Sequence, residues 1–342
     1  MNRIRDIQNA LEGVAPTGYQ ENYDNSGLII GDSETPVEGV LVSLDVTEEV
    51  VDEAITLGCN LIVAHHPLIF KGLKKINSSH WIGRCVQKAI KNDLAIYAIH
   101  TNLDNVLDNG VNGKIADRLQ LVNRRVLSPK EGLVQFRLLV SPLLKKEAVS
   151  AIQSVSPQSF SIHKSVGSGE SEKGESPFYS CTGLIRAHSE NFLQSALAPF
   201  SLKADFQNSR ATDPGLGAGM VGDLELPVTE KEFLSLLKKQ LNTGLIRHTQ
   251  LLGKSVSRVA VCGGAGSFLL GAAVASGADF FVTGDFKYHD FFEADKRIVV
   301  ADVGHFESEQ YTIELIFDIL KDNFSTFALH CTKVNTNPIN YY

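Results

Sequence analysis

The sequence predicts an α/β fold built from two similar halves, on three observations. Short β-branched strands alternate with amphipathic helices between residues 39 and 99, and the same alternation returns between residues 259 and 301. Residues 57–66 and 276–285 also align, because each has a helix end, a glycine, a polar residue, a strand and a polar motif in that order. We infer an internal duplication with pseudo-symmetric halves. A chance match is the alternative, since helix–glycine–strand junctions are common.

Hydrophobic periodicity predicts the individual elements of both halves. The N-terminus is expected to form an amphipathic helix with Ile4, Ile7 and Leu11 on one face. Later strands are predicted at 39–44, 61–64, 94–99, 259–261, 280–282 and 297–301, and helices at 47–57 and 80–92. An alanine-rich helix should follow the glycine run at 263–266. The alternation of single strands with single helices predicts parallel strands.

The pattern changes between the two halves. Strands are predicted at 133–140, 179–186 and 202–208, and helices at 144–154 and 189–197. This order resembles a ferredoxin-like α+β domain. The acidic, Ser/Gly-rich stretch at 167–176 predicts a solvated loop. We therefore expect residues 1–125 and 214–342 to form the α/β core and residues 126–213 to form an inserted domain.

Composition narrows the class of protein. The chain has 342 residues, 43% of them hydrophobic, and a net charge of −7, which favours neither nucleic acid nor an anionic membrane as a partner. No apolar run has the length of a membrane span, and the N-terminus lacks the apolar core of a signal peptide. The five cysteines contain no C-x-x-C pair, which disfavours a disulfide framework or a thiolate zinc site. We expect a cytoplasmic protein whose metal ligands, if any, are histidines and carboxylates.

Two adjacent histidines, His65 and His66, come directly after the strand predicted at 61–64. Functional groups in α/β sheets gather beyond the carboxyl ends of strands. Pro67 biases His66 toward an extended backbone, which fixes how the pair is presented. Two imidazoles that leave one strand end could reach two different ions. A structural histidine pair that caps the strand is the alternative.

Two further strands end in polar residues. Asp104 follows the strand at 94–99, with His100 as a partner that orients a ligand or carries a proton. A turn rich in Asn and Asp is the alternative for this stretch. His305 and Glu309 lie four residues apart after the last strand, so they share one face if the stretch is helical. Acidic residues that complement a helix dipole are the alternative there.

The combination of the three motifs predicts a metal centre. Together they supply three imidazoles and two carboxylates at strand ends from two similar halves. Zinc, manganese and iron accept this mixture of ligands. Two ions about 3.5–4 Å apart, with a carboxylate that spans both, are the usual two-metal arrangement.

Taken together, these motifs resemble the NGG-interacting-factor-like family, whose bacterial members are often labelled GTP cyclohydrolase type-two homologues. The matching stretches are His65-His66-Pro67 and residues 100–104, 284–290 and 304–309, supported by residues 24–28 and 44–47. The resemblance covers residues 1–125 and 214–342. The middle is similar to an insertion that some bacterial members carry.

The resemblance implies a dinuclear centre with two divalent ions per chain. Position by position, the family's metal ligands correspond to His65, His66, Asp104, His305 and Glu309. Glu309 is the favoured bridge and Asp104 the alternative. The resemblance also implies a homo-oligomer, a ring-like hexamer whose sites face an internal cavity.

Three other polar or glycine-rich segments are candidates for binding. Residues 217–222 satisfy G-x-G-x-x-G, but an extended segment and a proline follow, whereas a dinucleotide fingerprint opens a helix. The glycine run at 263–266 could hold an anion on its free N–H groups, with close helix–strand packing as the plainer interpretation. The segment 285–290 predicts a pocket wall in which His289 is a general base and Lys287 meets a phosphate, or else a solvated loop.

Two functions from different classes follow. The first is a metal-dependent hydrolase that acts on a nucleotide or another phosphate-bearing small molecule, with Glu309, His100 and His289 as candidate catalytic residues. The family label would make GTP the substrate. The second is a non-catalytic metal carrier or regulatory binding protein.

Overall fold

The computed structural model describes residues 2–167 and 176–342, which form two compact units. One unit contains residues 2–128 and 217–342, and the other contains the described part of residues 129–216. The α/β class predicted from the sequence is confirmed, because helices alternate with strands that form several sheets. The loop predicted at 167–176 falls almost entirely on residues 168–175, which lie outside the described residues.

The first part of the chain alternates helices and strands. Its elements are α1 (Ile4–Val14), β1 (Gly27–Ile30), β2 (Gly39–Ser43), α2 (Glu48–Thr56), β3 (Leu61–Ala64), α3 (Trp81–Lys91), β4 (Ala95–Ala98), α4 (Thr101–Asp104), α5 (Val111–Arg118) and β5 (Val122–Glu131). The N-terminal helix buries the predicted face of Ile4, Ile7 and Leu11. Thr47 begins α2 by accepting a hydrogen bond from the N–H of Val50, which satisfies one free donor of the first turn.

The second unit has its own sheet and its own core. Its elements are β6 (Leu133–Val140), α6 (Lys145–Ser154), β7 (Ser159–Gly167), β8 (Ser176–Arg186), α7 (Glu190–Leu197) and β9 (Asp205–Asn208). The strands form an antiparallel sheet in the order β7-β8-β6-β9. The sequence analysis missed β7, although Phe160, Ile162 and Val166 lie on alternate positions of this strand between polar residues.

The last part of the chain returns to the first unit. Its elements are β10 (Thr212–Thr229), α8 (Glu230–Gln240), β11 (Arg247–His248), β12 (Ser255–Ala265), α9 (Leu270–Ala275), β13 (Phe280–Gly284), β14 (Val299–Asp302), α10 (His305–Glu309), α11 (Thr312–Asn323) and β15 (Ala328–Cys331). The G-x-G-x-x-G pattern at 217–222 lies inside β10, so it is strand and opens no helix, as the sequence predicts.

Two sheets organise the first unit, and both contain the predicted parallel strands. The five-stranded sheet has the order β1-β4-β3-β2-β15, and β2, β3, β4 and β15 run parallel. The six-stranded sheet has the order β11-β14-β13-β12-β10-β5, with β12, β13 and β14 parallel. Parallel strands bring their carboxyl ends to one edge, and the histidines and carboxylates of interest follow those ends.

The core of the first unit joins the two sheets. Val42 and Val63 of one sheet and Val261 and Phe280 of the other belong to a single buried cluster with Ile4 of α1. Separate clusters cover the opposite face of each sheet. Since apolar burial stabilises by roughly 25 cal/mol per Å², this shared core fixes the strand ends of both sheets in one rigid frame.

Two remaining features concern membranes and cysteines. Across the described parts of the chain, no helix combines the length and the apolar character that a membrane crossing needs. All five cysteines are free thiols, and Cys331 is the exposed one. Partial burial of its sulfur and the charges of Glu314 and Asp318 raise the pKa of the Cys331 thiol.

Candidate metal centre

The histidine pair that follows β3 presents both imidazoles toward the middle of the unit. His65 is fully buried, and its Nδ1 donates to the carbonyl oxygen of Ile99 over 2.8 Å. His66 Nδ1 donates to Asp45 Oδ1, also over 2.8 Å. A carbonyl or a carboxylate can only accept, so Nδ1 carries a proton in both rings and Nε2 is the nitrogen that faces the site.

The short helix α10 brings two more groups to the same place. His305 Nδ1 donates to Asp285 Oδ2 over 2.8 Å, which orients the ring as in the histidine pair. Glu309, one helical turn later, has a side chain that is only 3% exposed. The prediction that His305 and Glu309 share a helix face is therefore correct.

The five predicted ligands form two groups that meet at Glu309. In the first group, His65 Nε2 lies 3.6 Å from Asp104 Oδ1 and 3.9 Å from Glu309 Oε1. In the second, Glu309 Oε2 lies 3.1 Å from His66 Nε2 and 3.0 Å from His305 Nε2. Each group offers three ligand atoms within 4.8 Å of one another. Glu309 thus presents one carboxylate oxygen to each group.

Two buried atoms test whether a cation fits this cluster. Among the described residues, His65 Nε2 and Asp104 Oδ1 are both buried without a hydrogen-bond partner. A buried polar atom without a partner costs about 1–3 kcal/mol, and both atoms belong to the same group of three. A divalent ion that binds nitrogen and oxygen ligands would give both His65 Nε2 and Asp104 Oδ1 a partner. The donor set therefore fits a metal ion.

In the second group, the imidazoles of His66 and His305 bind protons that a metal cation would have to displace. Burial opposes protonation of His66, but hydrogen bonds from its ring to Asp45 and Glu309 raise its pKa to about 10. Burial likewise opposes protonation of His305, yet Glu309 and Asp285 raise its pKa to about 11. Although burial acts to raise the pKa of Glu309, the two imidazoles lower it well below its usual value.

In the first group, burial is the dominant influence on the charges. It lowers the pKa of His65 to about 3, so that imidazole is neutral and its Nε2 holds a free lone pair at neutral pH. Burial, reinforced by the charge of Glu309, raises the pKa of Asp104 to about 7. The first group therefore pairs a neutral imidazole with a carboxyl group whose pKa is raised.

His100 lies beside the five ligands and pairs with a buried carboxylate. Its ring centroid is 5.2 Å from that of His65 and 5.3 Å from that of His66. Its Nδ1 donates to Asp24 Oδ1 over 2.7 Å, and Asp24 also accepts from the backbone N–H and the hydroxyl of Thr101. A further group of three ligand atoms contains His65, His66 and His100. His100 can therefore act as an additional ligand or as a proton carrier.

The glycine run at the end of β12 packs closely against the cluster. The N–H of Gly263 donates to Asn112 Oδ1 and that of Gly264 to Ser308 Oγ. These two donors are occupied, which contradicts their use as an anion cradle and supports the packing interpretation. Gly264 has φ +62°, and a Cβ there would collide with Glu309 Oε1. The glycine gives Glu309 the room to reach both groups.

A cavity of about 510 Å³ opens over the second group of ligands. Its lining residues are Leu44, Asp45, His66, Pro67, Phe70, His100, Asp285, His305, Phe306, Asn337, Pro338 and Ile339. Cavities of this size accommodate small-molecule ligands. The lining of the cavity thus combines candidate metal ligands with apolar side chains.

The segment 285–290 contributes to this site only through its first residue. Asp285 lines the cavity and orients His305. His289 is exposed, its ring contacts those of Tyr288 and Phe292, and it does not belong to any ligand group found among the described residues. Tyr288 lines a different cavity of about 650 Å³. The structure thus brings His100 to the ligands but gives His289 no contact with them.

Comparison with known proteins identifies the family. The model of the family described as Duf34/NIF3 (NGG1p interacting factor 3) matches residues 2–338, nearly the whole chain. The chain belongs to the Duf34/NIF3 family. The resemblance drawn from the sequence motifs is therefore confirmed.

Relatives in this family are similar over their full length. A Halalkalibacterium halodurans protein named GTP cyclohydrolase 1 type 2 homolog is 32% identical over 361 residues, covering 97% of this chain and 96% of that protein. A Staphylococcus epidermidis protein with the same name is 30% identical over 374 residues, covering 99% of this chain and 100% of that protein. The crystal structure of a Bacillus cereus protein related to NIF3 has a TM-score of 0.87 at 30% identity, with 99% of both chains covered.

Sequence reasoning missed some of the residues that orient the ligands of this Duf34/NIF3 protein. Asp45 was noted only within the motif at 44–47, and its bond to His66 was not predicted. Asp24 and Thr336 also escaped notice as partners of His100 and Asp45. The available signal was that Asp45 follows β2 at the same sheet edge as the histidine pair.

Replacing Asp285 by Asn should weaken metal binding by about 10- to 100-fold, because His305 loses the carboxylate that fixes its tautomer and ring orientation. Asn tolerates the positive φ of 56° at this position, so the backbone should persist. Titration with a metal indicator measures the effect, with Asp290→Asn in the same loop as the matched control. Unchanged affinity in Asp285→Asn would exclude this orienting role.

Replacing Gly264 by Ala should displace Glu309 and weaken metal binding by more than about tenfold, since the new Cβ collides with Oε1 and the backbone is left-handed. Gly271→Ala is the matched control, because a Cβ there has nothing within 4 Å. Isothermal titration calorimetry of both variants measures the change. Equal affinities in the two variants would contradict the role assigned to Gly264.

Proposed function

We propose that this Duf34/NIF3 protein holds two divalent ions, zinc, manganese or iron, and uses them to hydrolyse a nucleotide or another phosphate-bearing small molecule. The observation that supports this most strongly is the position of Glu309, which offers Oε1 to one ligand group and Oε2 to the other. The adjoining cavity supplies room for a substrate. The names of the curated relatives support GTP as one substrate to test.

The chain's own residues would divide the chemistry between them. His65, His66, Asp104, His305 and Glu309 would hold the ions, and bound ions supply Lewis acidity and make a water molecule more acidic. His100 would accept a proton at Nε2, the ring nitrogen that does not bind Asp24. Asp24 would stabilise the resulting imidazolium, since its carboxylate already holds Nδ1. Phe70 and Phe306 would exclude bulk water from one side of the cavity.

The test is turnover by the full chain loaded in turn with zinc, manganese, iron or cobalt, against a panel of nucleotides and phosphoesters that includes GTP. His100→Asn should lower turnover by roughly 10²- to 10⁴-fold while both ions remain bound. The matched control is His248→Asn, because His248 is exposed and lies on the rim of the other cavity.

A metal carrier is the competing function, and the same experiment separates the two. No turnover with any loaded metal, together with fast transfer of the ions to a chelating acceptor, would exclude the hydrolase and favour the carrier. The ligand set favours exchange of the metal ions, because it contains only imidazole and carboxylate groups, which bind borderline ions less firmly than thiolates do.

We also propose the wider organisation that the sequence implies. Two pseudo-symmetric halves are supported by Gly58 and Gly277, which end α2 and α9 with φ values of +69° and +74° and lead into β3 and β13. A ferredoxin-like insertion is supported by the order strand, helix, strand, strand, helix, strand in the second unit. A homohexameric ring and a cytoplasmic location complete the proposal, and the free thiols agree with a reducing compartment.

A further inference from the structure

We propose that the cavity over the metal centre selects a small molecule with one anionic group and an apolar, preferably aromatic, body, and that it rejects polyphosphates such as nucleoside triphosphates. This inference rests on the proposed metal centre and deepens it by naming the substrate class. Three independent features of the cavity support it: the balance of charge, the composition of its wall, and the way the wall is fixed.

The charge balance disfavours a polyanion. Five carboxylates surround the ligand nitrogens, namely those of Asp24, Asp45, Asp104, Asp285 and Glu309. Two divalent ions would bring four positive charges, so their positive charge would not exceed the negative charge of the five carboxylates. Among the twelve described residues that line the cavity, none is a lysine or an arginine.

A nucleoside triphosphate needs more positive charge than this cavity offers. Sites that bind such chains of phosphates pair them with lysine, arginine or several backbone N–H groups in addition to a cation. Here one anionic group could reach the ions, and further phosphates would face Asp45 and Asp285 without compensation. A substrate with a single anionic group avoids this repulsion.

Part of the cavity wall is apolar. The lining includes Phe70, Phe306, Pro338 and Ile339 together with the imidazoles. Phe70 is 40% exposed and Ile339 is 50% exposed, so both are available to a ligand, and the Phe70 ring lies 6.1 Å from the ring of His100. Burying a phenyl-sized group against such side chains favours binding, because it removes apolar surface from water.

The wall is held in place by hydrogen bonds from the C-terminal segment. Thr336 Oγ1 donates to Asp45 Oδ2 over 2.6 Å, and Asn337 Nδ2 donates to Glu307 Oε1 over 3.2 Å. The N–H of Ile339 then donates to Asn337 Oδ1 over 3.0 Å. Since the segment is tied both to Asp45 and to α10, its apolar residues form a fixed part of the cavity.

Binding of three related phosphonates to the metal-loaded full chain tests the inference. Phenylphosphonate and 4-carbamoylphenylphosphonate should bind with dissociation constants within about threefold of each other, because both carry their charge only on the phosphonate. We expect 4-carboxyphenylphosphonate, which adds a second anionic group at the far end of the ring, to bind at least about tenfold more weakly. Isothermal titration calorimetry measures all three, with metal content determined before and after.

A charge placed in the wall provides the matched test. Ile339→Lys should bring the dissociation constant of the carboxylated probe about tenfold closer to that of phenylphosphonate, whereas Ile339→Met, which adds no charge, should leave the ratio of the two dissociation constants within about threefold of its original value. The inference is overturned if the carboxylated probe binds as tightly as phenylphosphonate to the unaltered chain, or if neither phosphonate binds while both ions are retained.

Turnover distinguishes failure of this inference from failure of the proposed function. Hydrolysis of GTP faster than that of phenyl phosphate would overturn the substrate class and leave the hydrolase intact. Charge-selective phosphonate binding without hydrolysis of any phosphoester would uphold the recognition and overturn the hydrolase.

Discussion

Replacing Glu309 by Gln should weaken the binding of both metal ions by more than about 100-fold and abolish turnover. Glu309 is the residue whose two oxygens face both ligand groups, so one substitution affects both. Changing a residue that merely orients a ligand costs about 10- to 100-fold in metal affinity, and the loss of a shared anionic ligand should exceed that range. Equilibrium dialysis with elemental analysis measures the ions retained per chain.

Glu307→Gln is the control for this experiment. Glu307 lies on the same short helix and is also buried, but its carboxylate accepts a hydrogen bond from Asn337 and belongs to none of the ligand groups found in the described residues. It should retain both ions. If Glu309→Gln keeps one ion at full affinity, Glu309 does not bridge, and Asp104 becomes the favoured bridge.

Metal affinity should rise steeply with pH while the stability of the metal-free protein falls. In the metal-free protein the pKa values of His66 and His305 are raised to about 10 and about 11. Their protons must leave before the nitrogens can bind an ion, so binding at pH 7.5 should release at least one proton. Affinity should then increase by roughly tenfold per pH unit for each proton released.

The stability of the metal-free protein depends on pH in the opposite direction to the metal affinity. A histidine whose pKa is raised in the folded state stabilises that state fully below its unfolded pKa, near 6.5, and the stabilisation is lost as the pH rises through the folded pKa. The metal-free protein should therefore melt at lower temperatures as the pH increases from 7.5 to 9.5. The depressed pKa of Glu309 adds no change there, because its contribution is lost only as the pH falls to acidic values.

Calorimetry in buffers of different ionisation enthalpy counts the protons released on metal binding, and scanning calorimetry follows the metal-free protein. Asp285→Asn is the matched variant, because removing that carboxylate lowers the pKa of His305 and should reduce the proton release. Metal binding without proton release at pH 7.5 would contradict the assignment of these two imidazoles as ligands.

Much of the fold was predictable because its central strands are short, buried and β-branched. β3 and β6 match their predicted bounds, and α2 and α3 differ from theirs by one residue at each end. Two of the strands that escaped prediction have distant partners or few strand-forming residues. β15 pairs with β2 across nearly the whole chain, and the 18-residue β10 contains glycines that carry no strand propensity. Local periodicity carries no information about such pairings.

The candidate site was predictable in its ligands and less so in their surroundings. His65, His66 and Asp104 follow parallel strands, and the geometry of a parallel sheet brings such residues to one edge. His289 was given a role because it follows β13 at the corresponding place, but the chain turns it to the surface. The apolar wall around Ile339 carries no periodic signal, since it is an irregular segment fixed by side-chain hydrogen bonds.

The most direct test of the metal centre is anomalous diffraction from crystals of the full chain grown with manganese or zinc. The account predicts two anomalous peaks per chain, one beside each carboxylate oxygen of Glu309, with His65 and Asp104 at one peak and His66 and His305 at the other. Anomalous density that avoids this cluster, in crystals whose lattice leaves the cavity open to the metal, would contradict it.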